Sequence, residues 1–218
     1  MKEIFEGIYS DGKMIYTKNL VVGTKVYGEK IFDYNGVELR EWNPYRSKFC
    51  AALKNGIKQK LFFETCKVLY LGSAEGTTIS HISDIVGEEG FIFGVDISET
   101  AMQKLLDLSD SRGNIFPILA DAQMPAEYTE EVGGEIDTIF QDVSQRNQTE
   151  IFLRNAFFLK SGGLGALSLK TKSISQIGSA EEILEKEKKK LEDEFDIIEI
   201  ILLEPFEKEH YLIVVRKK

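Results

Sequence analysis

The chain has 218 residues, 43% hydrophobic and 29% charged, which suits one medium domain, or a domain with a small appendage, and excludes compositional disorder. Its 27 basic residues face 36 acidic ones, and the resulting net charge of −9 argues against a protein that wraps nucleic acid unaided by neutralising phosphates. Cys50 and Cys66 have no CxxC spacing, which excludes a disulfide scaffold or a cysteine zinc site, and no apolar run approaches the ~18 residues of a membrane span. Residues 1–6 carry acids early and lack the apolar stretch of a secretory signal, so the expected compartment is the cytoplasm, with no membrane partner and no metal.

In chain order, residues 4–9 and 14–17 flank Ser10-Asp11-Gly12-Lys13 and predict a hairpin. Residues 25–32 and 37–42, split by Tyr34-Asn35-Gly36, predict a second one, and Asn43-Pro44 ends the pattern. Strands this short cannot bury a core alone, so a small β-rich N-terminal domain, residues 1–50, must dock on the rest or on a partner. Residues 40–72 are locally basic (Arg40, Arg46, Lys48, Lys54, Lys58, Lys60 and Lys67 against Glu41 and Glu64). They form either a phosphate-facing patch or a solvated helix face.

After residue 60 strands and helices alternate. Strands are predicted at 67–71, 90–97, 114–119, 136–140 and 165–169, and helices at 76–86, 99–108, 147–159 and 180–195. Residues 181–194 read as a solvated helix face with pairs such as Glu182 with Lys186. Strands at 197–203 and 211–215 follow with no helix between them. Repeated βα units predict an α/β fold over residues 51–218, a doubly wound, Rossmann-like and mostly parallel sheet closed by an antiparallel C-terminal edge strand.

The sharpest local feature is the strand-to-helix turn Gly72-Ser73-Ala74-Glu75-Gly76-Thr77-Thr78. Small residues let a ligand approach the backbone, and free N–H groups at the helix start favour polar or anionic atoms. It is neither a Walker loop nor GxGxxG, which disfavours a nucleotide phosphate or a dehydrogenase. The next strand ends in Asp96, placed to accept both ribose hydroxyls of a nucleoside. The third ends Ala120-Asp121-Ala122, with an acid suited to an adenine amino group, and the fourth ends Asp142-Val143-Ser144-Gln145. A glycine turn, a ribose acid and an adenine acid without a phosphate loop point to S-adenosylmethionine, which has an adenosine and no phosphate.

Lys170 closes the fifth strand, near Asp142 on its neighbour; it is either oriented by that acid for proton transfer or an exposed strand-end lysine. His81 reads as a packing or capping residue, and His210 as either catalytic or merely exposed.

These segments resemble the archaeal fibrillarin family. The matching stretches are Glu41-Trp42-Asn43-Pro44-Tyr45-Arg46-Ser47-Lys48, residues 68–87 (VLYLGSAEGTTISHISDIVG), Asp142-Val143-Ser144-Gln145, residues 155–163 and residues 203–210. The resemblance implies cofactor contacts at Gly72, Ala74, Thr77, Thr78, Asp96, Asp121, Ala122, Asp142 and Gln145, and a catalytic group of Lys48, Asp142, Lys170 and His210. It also implies methylation of ribose 2′-hydroxyls in rRNA, and in tRNA, at positions selected by a box C/D guide RNA. The implied partners are a Nop-family scaffold protein and a kink-turn-binding, ribosomal-type protein. The chain departs from the family pattern in having Asp96 in place of a more usual Glu, and Thr171-Lys172-Ser173 after the lysine. The residues alone leave open a methyltransferase of a tRNA base or a small molecule, and a non-catalytic subunit that only docks on a scaffold.

Overall fold

The computed structural model describes residues 1–218. Its N-terminal part is a five-stranded antiparallel sheet in the order β1-β2-β3-β5-β4. The strands are β1 (Lys2–Phe5), β2 (Ile8–Ser10), β3 (Ile15–Lys18), β4 (Ile31–Tyr34) and β5 (Val37–Trp42). Two expectations need correction here. The strand expected over 4–9 is two strands, because the chain turns at Gly7, whose N–H donates to Glu3 Oε1 at 2.9 Å. The strand expected over 25–32 begins only at Ile31, because the Glu29 carboxylate takes the N–H groups of Val26 and Tyr27 and curls the chain onto itself.

The second sheet has seven strands in the order β11-β12-β10-β9-β6-β7-β8. They are β6 (Lys67–Leu71), β7 (Phe91–Asp96), β8 (Ile115–Leu119), β9 (Ile136–Gln141), β10 (Leu159–Lys170), β11 (Phe195–Leu202) and β12 (His210–Lys217). The helices are α1 (Lys48–Lys54), α2 (Thr77–Val86), α3 (Glu99–Ser109), α4 (Thr129–Val132), α5 (Gln148–Asn155), α6 (Thr171–Ile174) and α7 (Ala180–Leu191). The sheet is the doubly wound, mostly parallel one expected, with one difference in placement. The C-terminal strand β12 is the antiparallel one, but it is inserted between β10 and β11, so β11 takes the edge.

α7 bears out the solvated-face reading with a Lys188–Glu185 pair on its surface, while Glu187 is buried and reaches the half-exposed Lys190. Glu182 serves a different purpose from the pairing expected with Lys186. It closes a capping box with Ser179 at the helix start.

One apolar core joins the two sheets, running from Ile8, Ile15 and Trp42 through α1 and α2 to Val68, Tyr70 and Phe140. Within it lies a polar cluster. Arg40 donates to Glu29 and to Asp84 (both 2.7 Å), and Arg112 donates to the other Asp84 oxygen at 2.7 Å, all with side chains almost fully buried. Arg40 is therefore not part of a phosphate-facing patch. Lys54 and Lys60 make exposed bonds within the chain, Lys54 to the Gly12 and Lys13 carbonyls and Lys60 to Glu6.

His81 is the packing residue expected, stacked on Trp42 at 4.6 Å between ring centroids. Its Nδ1 meets Thr17 Oγ1 at 2.7 Å and its Nε2 meets the Tyr27 hydroxyl at 2.6 Å. Thr17 gives its own proton to Asp84 at 2.7 Å, so it accepts from His81 Nδ1, while the one Tyr27 hydroxyl proton faces both His81 Nε2 and the Glu41 carbonyl, 3.0 Å away. Burial, with Arg40 and Arg112 adding, holds the His81 pKa well below its usual value. Because the folded pKa is depressed, the unfolded chain takes up the proton first, and stability falls as pH drops below the unfolded value of about 6.5. Denaturant unfolding between pH 7 and 5 should show a loss of up to about 1.4 kcal/mol per pH unit from this residue, and His81→Asn should flatten that slope. An unchanged slope in the variant would contradict the assignment.

Candidate active site

The site forms where β6, β7, β8 and β9 end, the edge at which open α/β sheets bind ligands. Gly72 follows β6 with φ +79°, and a Cβ there would overlap the Asp142 carbonyl oxygen. Glycine is what allows these two strand ends to meet. Ala74 is also left-handed, at φ +50°, an uncommon conformation for a residue with a Cβ. It aims its N–H at Asp96 Oδ2, 2.8 Å away, while Asp96 Oδ1 accepts from Ser98 at 2.9 Å. Each oxygen keeps a lone pair for a further donor.

Together these residues enclose a hollow of about 230 Å³ lined by Gly72, Ala74, Val95, Asp96, Ile97, Ala120, Ala122, Asp142, Val143, Ser144 and Gln145. Of the residues expected to hold a cofactor, Gly72, Ala74, Asp96, Ala122, Asp142 and Gln145 meet here. Three lie outside its lining. Thr77 faces a larger, more polar recess of about 750 Å³ between the 24–27 loop and α3. Thr78 is buried and donates to Ser47 Oγ at 3.1 Å. Asp121 sits between two lining alanines but turns its carboxylate to Gln123, accepting its N–H at 2.9 Å.

The expected catalytic residues arrive from three directions. Ser47 caps α1, accepting from Cys50 N and Thr78 Oγ1, and this fixes Lys48 as the first helical residue. Lys48 Nζ lies 2.8 Å from Asp142 Oδ2, with side-chain exposures of 23% and 19%. A pair this accessible adds little to stability, on the order of 1 kcal/mol or less, so its consequence is orientation. Lys170 is the last residue of β10, exposed, and directly opposite His210 on β12. The expectation that Asp142 holds Lys170 is not met. β9 stops pairing at Gln141 with Leu167, Lys170 lies further along, and the carboxylate is taken by Lys48. His210 is buried, and its Nδ1 donates to the Lys208 carbonyl at 2.8 Å, which leaves Nε2 as the ring nitrogen without a protein partner.

The sequence assigned no role to Ser47, Tyr70, Gln141 and Gln148. Tyr70 lies fully buried on β6, and burial, with the Asp142 charge adding, pushes its phenol well above the usual value, so it stays neutral. Ser47 carried a signal, a serine just before an apolar helical stretch. Gln141 and Gln148 carried none, being polar residues in segments read only for their apolar spacing.

A family model described as Fibrillarin matches residues 1–218. A curated relative from Thermococcus sibiricus, named fibrillarin-like rRNA/tRNA 2′-O-methyltransferase, is 48% identical over 222 residues, covering 99% of this chain and 98% of that protein. The solved Aeropyrum pernix fibrillarin, in complex with natively bound S-adenosyl-L-methionine, superposes with a TM-score of 0.87 at 42% identity, covering 98% of this chain and 96% of that one. A fibrillarin in a fibrillarin/Nop5p complex gives a TM-score of 0.91 at 38% identity, covering 100% of both chains.

Proposed function

The chain belongs to the fibrillarin family, and we propose the following account of how its site works. It is an S-adenosylmethionine-dependent RNA ribose 2′-O-methyltransferase that acts within a ribonucleoprotein. The observation that carries this account is the double engagement of Asp142. Its backbone closes the hollow against Gly72, while its carboxylate holds Lys48 at the hollow's edge. A binding site and a charged pair suited to proton and ribose positioning therefore share one residue.

The cofactor fits the residues present. The cradle is lined by small side chains at Gly72, Ala74, Ala120 and Ala122, and the Asp96 carboxylate has acceptor capacity left for ribose hydroxyls. No glycine-rich phosphate cradle is present, in keeping with a ligand that has none. Gly72, Ala74, Asp96, Ala122, Asp142 and Gln145 hold it, with Asp121, Thr77 and Thr78 in the surrounding shell. When bound, the cofactor supplies an electrophilic methyl group on a sulfonium.

The chain's own residues do the rest. A ribose 2′-hydroxyl is a weak acid, and its oxygen must approach in line with the departing sulfur, so positioning supplies much of the rate. Lys48, fixed by Asp142 and by the capped start of α1, orients the ribose or its phosphate. Lys170 accepts or guides the hydroxyl proton, and His210 lines the same rim with Nε2 available.

We also propose that residues 1–50 form the small β-rich unit and residues 51–218 the catalytic one. The working particle contains a Nop-family scaffold protein, a kink-turn-binding protein and a box C/D guide RNA, with rRNA and tRNA as targets. Guide pairing supplies sequence selection, and the partners supply the RNA affinity that a chain of net charge −9 lacks. The compartment we propose is the cytoplasm; two free, buried cysteines suit a reducing environment.

Calorimetry with S-adenosylmethionine tests the binding half of this account. The protein should bind it, and Asp96→Ala should weaken binding about tenfold to a hundredfold, the weight of one or two hydrogen bonds to a charged group. No binding by the unmodified protein, or unchanged affinity in the variant, would contradict it.

A further inference from the structure

β10 outlasts its neighbour. Its last pairing with β9 joins Leu167 to Gln141, yet the strand continues to Lys170. A strand end without a neighbour on one side has backbone groups to satisfy and freedom to fray. Here a side chain takes the neighbour's place. Gln148 Oε1 accepts the Lys170 N–H at 2.8 Å, and Gln148 Nε2 donates to the Lys170 carbonyl at 3.3 Å. One carboxamide thus bonds both backbone groups of one residue, as the N–H and C=O of a facing residue in an added antiparallel strand would.

Gln148 is itself held. It is fully buried at the first turn of α5, and its own carbonyl accepts from Gln141 Nε2 at 2.7 Å. Gln141 is the last residue of β9, immediately before Asp142. A short chain of bonds therefore runs from the residue beside Asp142, through Gln148, to the backbone of Lys170.

We propose that Gln148 is a positioning residue for methyl transfer. It sets the height of Lys170 at the rim relative to the Asp142–Lys48 pair, and it touches neither cofactor nor substrate. The proposal rests on the reading of Lys170 as the residue that handles the hydroxyl proton. Two bonds to the backbone on either side of the Lys170 side chain fix where that side chain starts, and displacement of a reacting group by about 1 Å can cost about a hundredfold in rate.

The test uses the assembled particle under single-turnover conditions with cofactor and target RNA saturating. Gln148→Met keeps the side-chain volume and removes both bonds; Gln148→Glu keeps the acceptor for the Lys170 N–H. The expected results are a fall of about tenfold to a hundredfold in Gln148→Met, a smaller fall in Gln148→Glu, and cofactor affinity within about twofold in both. In a Lys170→Met background, Gln148→Met should cause no further loss, because its effect passes through the lysine.

A Gln148→Met particle that methylates at the unmodified rate would overturn the proposal, as would an equal further loss in the Lys170→Met background, which marks a general structural role. Should Gln148→Met fail to fold, Gln148→Glu carries the same comparison in both backgrounds. If Lys170→Met alone keeps the full rate, the reading of Lys170 falls instead, and the two failures are told apart.

Discussion

Asp142→Asn is expected to lower the single-turnover rate of guided methylation about 10²–10⁴-fold while leaving the fold and the cofactor hollow in place. The substitution keeps the backbone carbonyl that meets Gly72, and so keeps the wall it forms. It removes the charge that holds Lys48 Nζ at 2.8 Å. A freed lysine samples many rotamers, and the geometry needed for in-line attack is lost from most of them. Rapid-quench measurement of labelled methyl transfer, with cofactor affinity measured in parallel, checks this. A rate within threefold of the unmodified particle would remove Asp142 from the mechanism.

The largest effect on stability is expected from Asp84→Asn. Asp84 accepts from Arg40, Arg112, Thr17 and the Leu20 N–H at a point where all three charged side chains have no exposure. Removing its charge leaves two guanidinium groups in the core with only Glu29 to balance them. Breaking a buried pair in this way costs about 3–5 kcal/mol, because the remaining charge is neither solvated nor paired. Burial already lowers the Arg112 pKa from its usual value, with the Asp84 charge working in the opposite direction. The unfolding free energy from denaturant titration at pH 7, with an unchanged m-value, is the measurement. A loss under about 1 kcal/mol would mean that water reaches the cluster. Catalysis should follow stability here and not the reverse, since Asp84 is on the face of α2 turned towards the N-terminal sheet.

The βα units were legible because their signals are local. The apolar run of β6 and the glycine turn after it stand at the positions predicted, and Asp96 ends its strand as expected. The polar cluster under α2 was not legible. Its partners lie 44 and 28 residues from Asp84 in the chain, and isolated arginines such as Arg40 and Arg112 read as surface charge until a fold brings acids to them. The same limit applies at the site. An acid at a strand end is visible in the sequence, but its choice of Lys48 over Lys170 depends on how far β10 runs past β9, which no spacing reveals. Asp121 shows the converse, since a strand-end acid of the expected type spends its carboxylate on a turn two residues away.

The most direct test of the account is where the methyl group goes. A particle assembled from this protein, a Nop-family scaffold, a kink-turn-binding protein and a box C/D guide RNA should place one methyl on the 2′-oxygen of the guided nucleotide, as read by mass spectrometry. It should place none when that nucleotide is a 2′-deoxy analogue. A methyl group on a base, or on the deoxy target, would contradict the account.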